Sequence, residues 1–147
     1  LGDVYKRQEC SGPLVVISAD TAISMMAVNA KQELVGGVIL PGPQLSLSAL
    51  VKNTAQLPQI DLAAKAPASI LGKSTSSCLQ NGFVLGTASL LDGLAERFCA
   101  ELGPQTAFYA TGNLPIPIRE ACCTPILYRE TLITDGLYRI WMKNKKG

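Results

Sequence analysis

The sequence predicts a mixed α/β domain built on an antiparallel meander of three strands. Three short apolar segments rich in β-branched residues follow one another early in the chain, at residues 14–18, 23–28 and 34–40. Only a few residues separate neighbouring segments, which is typical of antiparallel strands joined by tight turns. The segment Pro41-Gly42-Pro43 then ends this part of the chain, and apolar residues at helical spacing follow it.

The remaining elements are predicted in chain order. A helix starts near Pro43, and residues 56–71 form a loop that contains two prolines. Ser74 or Thr75 can cap a long helix that runs to about residue 102. Beyond it we expect a fourth strand, a short helix, an extended segment and a last helix, at residues 106–110, 117–121, 125–128 and from about 131 onwards.

The long helix carries two patterns. Its large apolar residues are expected to form the buried face: Leu79, Phe83, Leu90, Leu94 and Phe98. Three glycines form a stripe at spacings of four and seven: Gly82, Gly86 and Gly93. A glycine inside a helix costs about 0.5–1 kcal/mol relative to alanine. Three on one stripe therefore predict that another backbone packs closely against it.

Composition excludes several classes of protein. Hydrophobic residues make up 48% of the 147 residues and charged residues 16%, which indicates a globular domain. The net charge is +2, and the basic cluster Lys143, Lys145 and Lys146 falls at the end of the predicted last helix, where cations complement the helix dipole. We therefore expect no nucleic-acid partner. No run reaches the roughly 18 apolar residues of a membrane span, so no membrane is expected either.

Five cysteines and no histidine also restrict the chemistry. The cysteine spacing fits no disulfide framework or zinc site, and a histidine base is excluded. Free thiols predict a reducing, cytoplasmic environment. Cys122 and Cys123 are expected to serve packing rather than chemistry.

Residues 1–8, LGDVYKRQ, have no apolar period and do not lead into the first strand. They resemble translated adapter sequence at the ends of metagenomic reading frames. We therefore expect residues 1–8 to be non-native. Residues 9–147 would then be the C-terminal domain of a longer protein whose N-terminal domain is missing.

Several short segments could contact a ligand. Asp20-Thr21-Ala22 lies between two predicted strands, so its amides and the Thr21 hydroxyl could bind phosphate oxygens; an ordinary hairpin turn is the alternative. The segment 72–75, GKST, looks like the end of a phosphate-binding P-loop, but Pro67 stands where the first glycine is required. For Gly36-Gly37 and Pro41-Gly42 we favour tight strand and turn geometry over ligand contact.

A family resemblance rests on blocks in a fixed order. The two long and specific ones are LVGGVILPGPQLSLSAL (34–50), similar to LGGAIAPGIKLSLEAL, and ILGKSTSSCLQNGFVLG (70–86), similar to IGKNTxxAMQSGxxxG. Shorter ones are LVVISADTAIS (14–24), similar to VVDFGTATT, then TAQLPQIDL (54–62), ATGNL (110–114) and TLITDGLYRIW (131–141). Together they resemble the C-terminal half of type III pantothenate kinases.

The resemblance implies a fold and an activity. The fold would be ribonuclease H-like, as in the actin-like ATPases and sugar kinases. The intact protein would be a homodimer that transfers the γ-phosphate of ATP, with Mg²⁺, to pantothenate in the first step of coenzyme A synthesis. A non-catalytic relative that binds or regulates is the alternative. The family motifs DxGNT and GxDR, the second of which supplies the general base, are expected upstream, so this chain would hold no catalytic residue.

The resemblance also assigns residues. Thr21, Ala22 and Gly112 would contact ATP, and Thr75 would bind pantothenate. A family aspartate that supports a monovalent cation, K⁺ or NH₄⁺, falls at Ser18, and a family glycine falls at Asp20. Asp20 either restores the missing carboxylate from a shifted position or repels phosphate, and these two departures are what favour the non-catalytic alternative.

Overall fold

The computed structural model describes residues 12–129. The predicted last helix and residues 1–8 lie outside the described residues. The elements of the described part are β1 (Leu14–Ala19), β2 (Ala22–Val28), β3 (Leu34–Pro41), α1 (Pro43–Asn53), α2 (Thr75–Leu102), β4 (Ala107–Gly112), α3 (Ile116–Ala121) and β5 (Ile126–Tyr128). Each agrees in type with the predicted element and differs from it by a few residues at most.

The strands form one sheet with the order β3-β2-β1-β4-β5. Antiparallel pairing joins β1 to β2 and β2 to β3, which confirms the predicted meander. On the other side of β1, strand β4 is parallel to β1, and β5 is parallel to β4. The connection from the meander to β4 runs through α1 and α2, as parallel neighbours require a long crossover. A mixed α/β fold with flanking helices is therefore confirmed.

The two glycines of β3 serve strand pairing. The β2–β3 register shifts between Ala27 and Val28, and Gly36, which pairs with Ala27, has a φ of +142°. A Cβ on Gly37 would overlap the carbonyl oxygen of Met25 on the neighbouring strand. Close approach to β2 accounts for Gly37, and the positive φ at the register shift accounts for Gly36, so both glycines serve strand geometry as predicted.

The core lies on one face of the sheet. Val15, Ile17 and Ala19 alternate with half-buried residues along β1, which is the pattern of a strand with one covered face. Leu47 of α1 and Ile118 of α3 are fully buried against the same cluster. The three helices thus cover this face and leave the turns at the strand ends accessible.

The buried face of α2 differs from the predicted one. The side chains that it buries are Asn81, Val84, Ala88, Leu91 and Ala95. Leu90 is 41% exposed, and Phe83, Leu94 and Phe98 only flank the core. The predicted buried face was therefore partly wrong. It considered large apolar residues alone, but small alanines let a helix pack closely against a sheet.

The glycine stripe of α2 has no close neighbour in the described part of the chain. A Cβ added at Gly82, Gly86 or Gly93 would meet nothing within 4 Å. The predicted close packing of a second backbone is therefore not found within residues 12–129. Among the helices described there, none is long and apolar enough to cross a membrane.

Candidate functional site

Three turns meet at the end of the sheet where β1 and β4 finish. The first is the β1–β2 turn at Asp20 and Thr21, and the second is Gly42 between β3 and α1. The third follows β4 at Gly112 and Asn113. The amide of Gly42 donates to the carbonyl oxygen of Thr21 at 2.9 Å, and the amide of Asn113 donates to that of Ala19 at 2.6 Å. Backbone hydrogen bonds therefore assemble these separate segments into one surface.

The β1–β2 turn uses part of its hydrogen-bonding capacity internally. The Asp20 amide donates to the carbonyl oxygen of Ala22 at 2.9 Å, so it is not available to a phosphate. Ala22 already belongs to β2 and pairs with Pro41. Thr21 is exposed, and its amide and hydroxyl are the donors that remain. The predicted cradle is thus smaller than the three-residue segment suggests.

Glycine is required at position 42 by packing. A Cβ there would lie 2.6 Å from the carbonyl oxygen of Asp20 and 2.7 Å from that of Thr21. Both distances are too short for a real Cβ contact, and Gly42 itself is buried. Gly42 therefore fixes the β1–β2 turn against the start of α1, which agrees with the interpretation as tight turn geometry.

Gly112 combines an unusual conformation with a close backbone contact. Its φ is +95°, and a Cβ would overlap the carbonyl oxygen of Ala19, its partner on β1. A residue with a side chain would be strained in this conformation. The positive φ of this turn belongs to Gly112 and not to the neighbouring Asn113.

Ser18 and Asp20 lie in different environments. Ser18 is half-buried in β1, on the face opposite the core, and pairs with Ser24 on β2 and Thr111 on β4. Directly paired residues share a face, so three hydroxyl side chains lie in a row across three strands. Asp20 is exposed and follows the end of β1, so the two-residue alternation of the strand does not extend to it.

The start of α2 is capped without using Thr75. Ser74 is the N-cap, and its hydroxyl accepts from the Ser77 amide at 3.2 Å while the Ser77 hydroxyl accepts from the Ser74 amide at 2.9 Å. Thr75 is the first helical residue and is exposed. Its hydroxyl is therefore free of a capping role. The segment follows α1 and a loop and not a strand, whereas a P-loop comes directly after a strand.

Two positioning side chains were missed by the sequence analysis. Asn81 is buried on α2 and donates to the carbonyl oxygens of Ser69 and Ile70 at 2.8 and 3.2 Å, which holds the loop that leads to Thr75. A polar residue on the true core face of α2 would have indicated it. Arg119 donates from Nε to the carbonyl oxygen of Leu114 at 2.7 Å. No sequence pattern singled it out.

Comparison with known proteins bears on these turns. The family model for type III pantothenate kinase matches residues 3–97, more than half of the chain. The chain belongs to the type III pantothenate kinase family. The matched region contains Thr21, Ala22 and Thr75, ends before Gly112, and begins inside residues 1–8, whose origin stays a prediction.

Curated members of the family support this membership. The type III pantothenate kinase of Koribacter versatilis is 37% identical over 141 residues, which cover 95% of this chain and 50% of the relative. That of Hyphomonas neptunium is 37% identical over 134 residues, covering 91% of this chain and 52% of the relative. The chain therefore spans about half the length of the curated relatives it matches.

A solved structure has a similar fold. The putative Baf family transcriptional activator from Campylobacter jejuni superposes with a TM-score of 0.60 at 20% identity, over 93% of this chain and 60% of that one. At this identity the likeness concerns the fold alone.

The thiol beside α3 has the properties of a packing residue. Burial raises the pKa of Cys122 to about 11, and electrostatic interactions with Asp92 and Cys123 act in the same direction. A thiol with this pKa is protonated near neutral pH, whereas thiolate is the reactive form. This agrees with the expectation that Cys122 serves packing. Cys123 is exposed.

The structure thus brings together four of the predicted site residues, namely Asp20, Thr21, Ala22 and Gly112. Thr21, Ala22 and Gly112 lie on turns that are joined through Ala19 and Asp20 by direct backbone contacts. Ser18 lies one residue before this junction. Thr75 lies at the start of a different element, and none of the hydrogen bonds found among residues 12–129 joins it to those turns. No cluster of three or more metal-ligating side chains occurs in the described residues.

Proposed function

We propose that the full-length protein containing this chain transfers the γ-phosphate of ATP to pantothenate and gives 4′-phosphopantothenate. Membership of the type III pantothenate kinase family carries this proposal. The meeting of the β1–β2 and β4–α3 turns supports it, since Thr21, Ala22 and Gly112 then lie where one nucleotide can touch them. Because this chain spans half of its relatives, the remaining half would supply the general base.

The chain's own residues would bind and orient the substrates. The exposed hydroxyl and amide of Thr21 can donate to phosphate oxygens, and oriented backbone amides favour anions. The exposed Thr75 hydroxyl, at the start of a 28-residue helix, suits a pantothenate carboxylate or amide. ATP brings Mg²⁺, whose charge neutralises the transferring phosphate. The described residues offer only Asp20 as a nearby carboxylate, so Mg²⁺ would be held mainly by the phosphates and the other half of the protein.

The finer assignments belong to the same proposal. The strand order β3-β2-β1-β4-β5 with an antiparallel β2 fits a ribonuclease H-like domain. Ser18 and Asp20 would be the neighbours of a monovalent cation. The open glycine stripe of α2 suits a contact between two copies in a homodimer. A cytoplasmic location also belongs to the proposal, since the free cysteines of the described residues suit a reducing environment.

An assay of ADP release, coupled to a reporter enzyme and run with and without pantothenate, tests the proposal on the full-length protein. We expect turnover that requires both ATP and pantothenate. The 147-residue chain alone should show none, because the base and first phosphate loop are expected in the other half. A full-length protein that binds ATP without turnover would support the non-catalytic alternative instead.

A further inference from the structure

Arg119 links three elements next to the proposed nucleotide site. It belongs to α3, and its Nε donates to the carbonyl oxygen of Leu114 at 2.7 Å while Nη2 lies 3.4 Å from that of Gly112. Its guanidinium carbon lies 4.3 Å from the centroid of the Tyr128 ring. Tyr128 is on β5 and pairs with Ala110 of β4. The planar guanidinium is therefore held by an aromatic ring and directed at the end of β4.

One peptide group is fixed at both ends by this arrangement. The peptide between Gly112 and Asn113 has its carbonyl oxygen near Arg119 Nη2, and its N–H donates to the carbonyl oxygen of Ala19 at 2.6 Å. Gly112 is in a conformation that few residues adopt, with φ +95°. Glycine has the most flexible backbone of all residues, so contacts from outside the turn restrict this peptide group to one orientation.

We propose that Arg119 is a positioning residue that fixes the Gly112–Asn113 turn for the adenine nucleotide. This inference rests on the proposed function, since it assumes that the turn faces ATP. Arg119 acts through the two carbonyl oxygens and not by touching the substrate. Lysine could not replace it. A guanidinium is planar, stacks on an aromatic ring and directs several N–H groups at two acceptors, whereas an ammonium group is a single point charge.

Steady-state kinetics of the full-length protein test whether the turn held by Arg119 serves nucleotide binding. We expect Arg119→Met to raise the KM for ATP by about tenfold or more, which corresponds to a lost charge-assisted hydrogen bond. The KM for pantothenate should stay within about twofold of the parent value, and Arg119→Lys should recover little. Arg129→Met is the matched control: it removes the same charge from an exposed residue just after β5. Within residues 12–129, the Arg129 side chain makes one hydrogen bond, to the adjacent Tyr128 carbonyl oxygen.

Amide hydrogen exchange of the 147-residue chain tests the positioning itself, independently of catalysis. In Arg119→Met the Asn113 amide should exchange at least about tenfold faster, while the amides of β1 keep their rates. If the substitution only lowered the overall stability of the chain, the amides of β1 would exchange faster as well.

Unchanged Asn113 exchange, an unchanged KM for ATP in an active enzyme, or full recovery by lysine would each overturn the proposal. If the parent protein uses no ATP at all, the proposed function fails, and the nucleotide role of Arg119 fails with it. The exchange result then still decides whether Arg119 holds the turn.

Discussion

At the residue scale, Thr75 stands at a helix start that does not need its side chain. The cap of α2 is complete through Ser74 and Ser77, and Thr75 is exposed beside them. A role for the Thr75 hydroxyl outside the protein chain is therefore compatible with the local structure. Substitution at this position should separate substrate binding from folding.

We expect Thr75→Ala in the full-length protein to raise the KM for pantothenate or lower kcat, with the KM for ATP nearly unchanged. The loss of a hydrogen bond to a charged group corresponds to about 1.5–3 kcal/mol. Steady-state kinetics with each substrate varied in turn measures this. Ser76→Ala removes a neighbouring exposed hydroxyl from the same helix turn and serves as the control. Pantothenate kinetics that are equal in the two variants would remove Thr75 from the binding site.

Two opposite roles are proposed for Asp20: its charge would either hold a cation or repel the phosphates of ATP. The structure favours repulsion, since Asp20 follows the end of β1 and does not share the strand face of Ser18. We therefore expect the double change Ser18→Asp with Asp20→Gly to tighten ATP binding by about two- to fivefold, the scale of an exposed charge interaction. Calorimetric titration of the full-length protein with ATP, with and without potassium, measures it.

The opposite outcome would identify Asp20 as a working ligand. In that case Asp20→Asn lowers activity and weakens the dependence on potassium, and the double change gains nothing. Glu101→Gln, an exposed acid at the C-terminal end of α2, controls for the change in net charge.

At the element scale, α2 explains why some features were predictable and others were not. Its start and end follow from local signals, a serine cap and Gly103, and both were predicted. Its buried face depends on tertiary contact, and there Ala88 and Ala95 mattered more than Leu90. The three strands of the meander were equally predictable, because turn spacing and β-branched runs are local. Arg119 was not, since its contacts on Tyr128 and the Gly112 turn exist only once α3, β4 and β5 have come together.

The open glycines of α2 give a prediction about stability. We expect Gly86→Ala to stabilise the 147-residue chain by about 0.5–1 kcal/mol, since a methyl group there meets nothing within 4 Å and alanine favours the helix. Urea unfolding followed by circular dichroism measures it. Gly37→Ala is the contrasting control: its methyl group would overlap the Met25 carbonyl oxygen, and it should destabilise. A loss of stability in Gly86→Ala that depends on protein concentration would instead place a second copy on the stripe.

At the scale of the whole molecule, long-range polar contacts supplement the hydrophobic core. Asp92 on α2 is one of them: its carboxylate accepts from the amides of Cys123 and Thr124 at 2.8 and 2.9 Å. These bonds fasten the connection between α3 and β5 to the helix that covers the core. They also lie close to Cys122, whose packing supports the same connection. The connection leads into β5, where the Tyr128 ring contacts Arg119.

Asp92 makes the stability of this arrangement depend on pH. Partial burial alone would raise the pKa of Asp92, but the hydrogen bonds from the Cys123 and Thr124 amides outweigh it and lower the pKa below the ordinary value. A carboxylate whose folded pKa lies below its unfolded pKa contributes stability above the unfolded pKa, and loses it as the pH falls through the folded value.

Asp92→Asn should therefore destabilise the chain at pH 7, by about 1 kcal/mol for a partly exposed group. The difference from the parent should shrink well below pH 4. Urea unfolding at pH 7 and pH 3 measures both values, and Glu96→Gln, an exposed acid one turn further along α2, is the control. An equal loss at the two pH values would mean that the shape of the side chain matters and its charge does not.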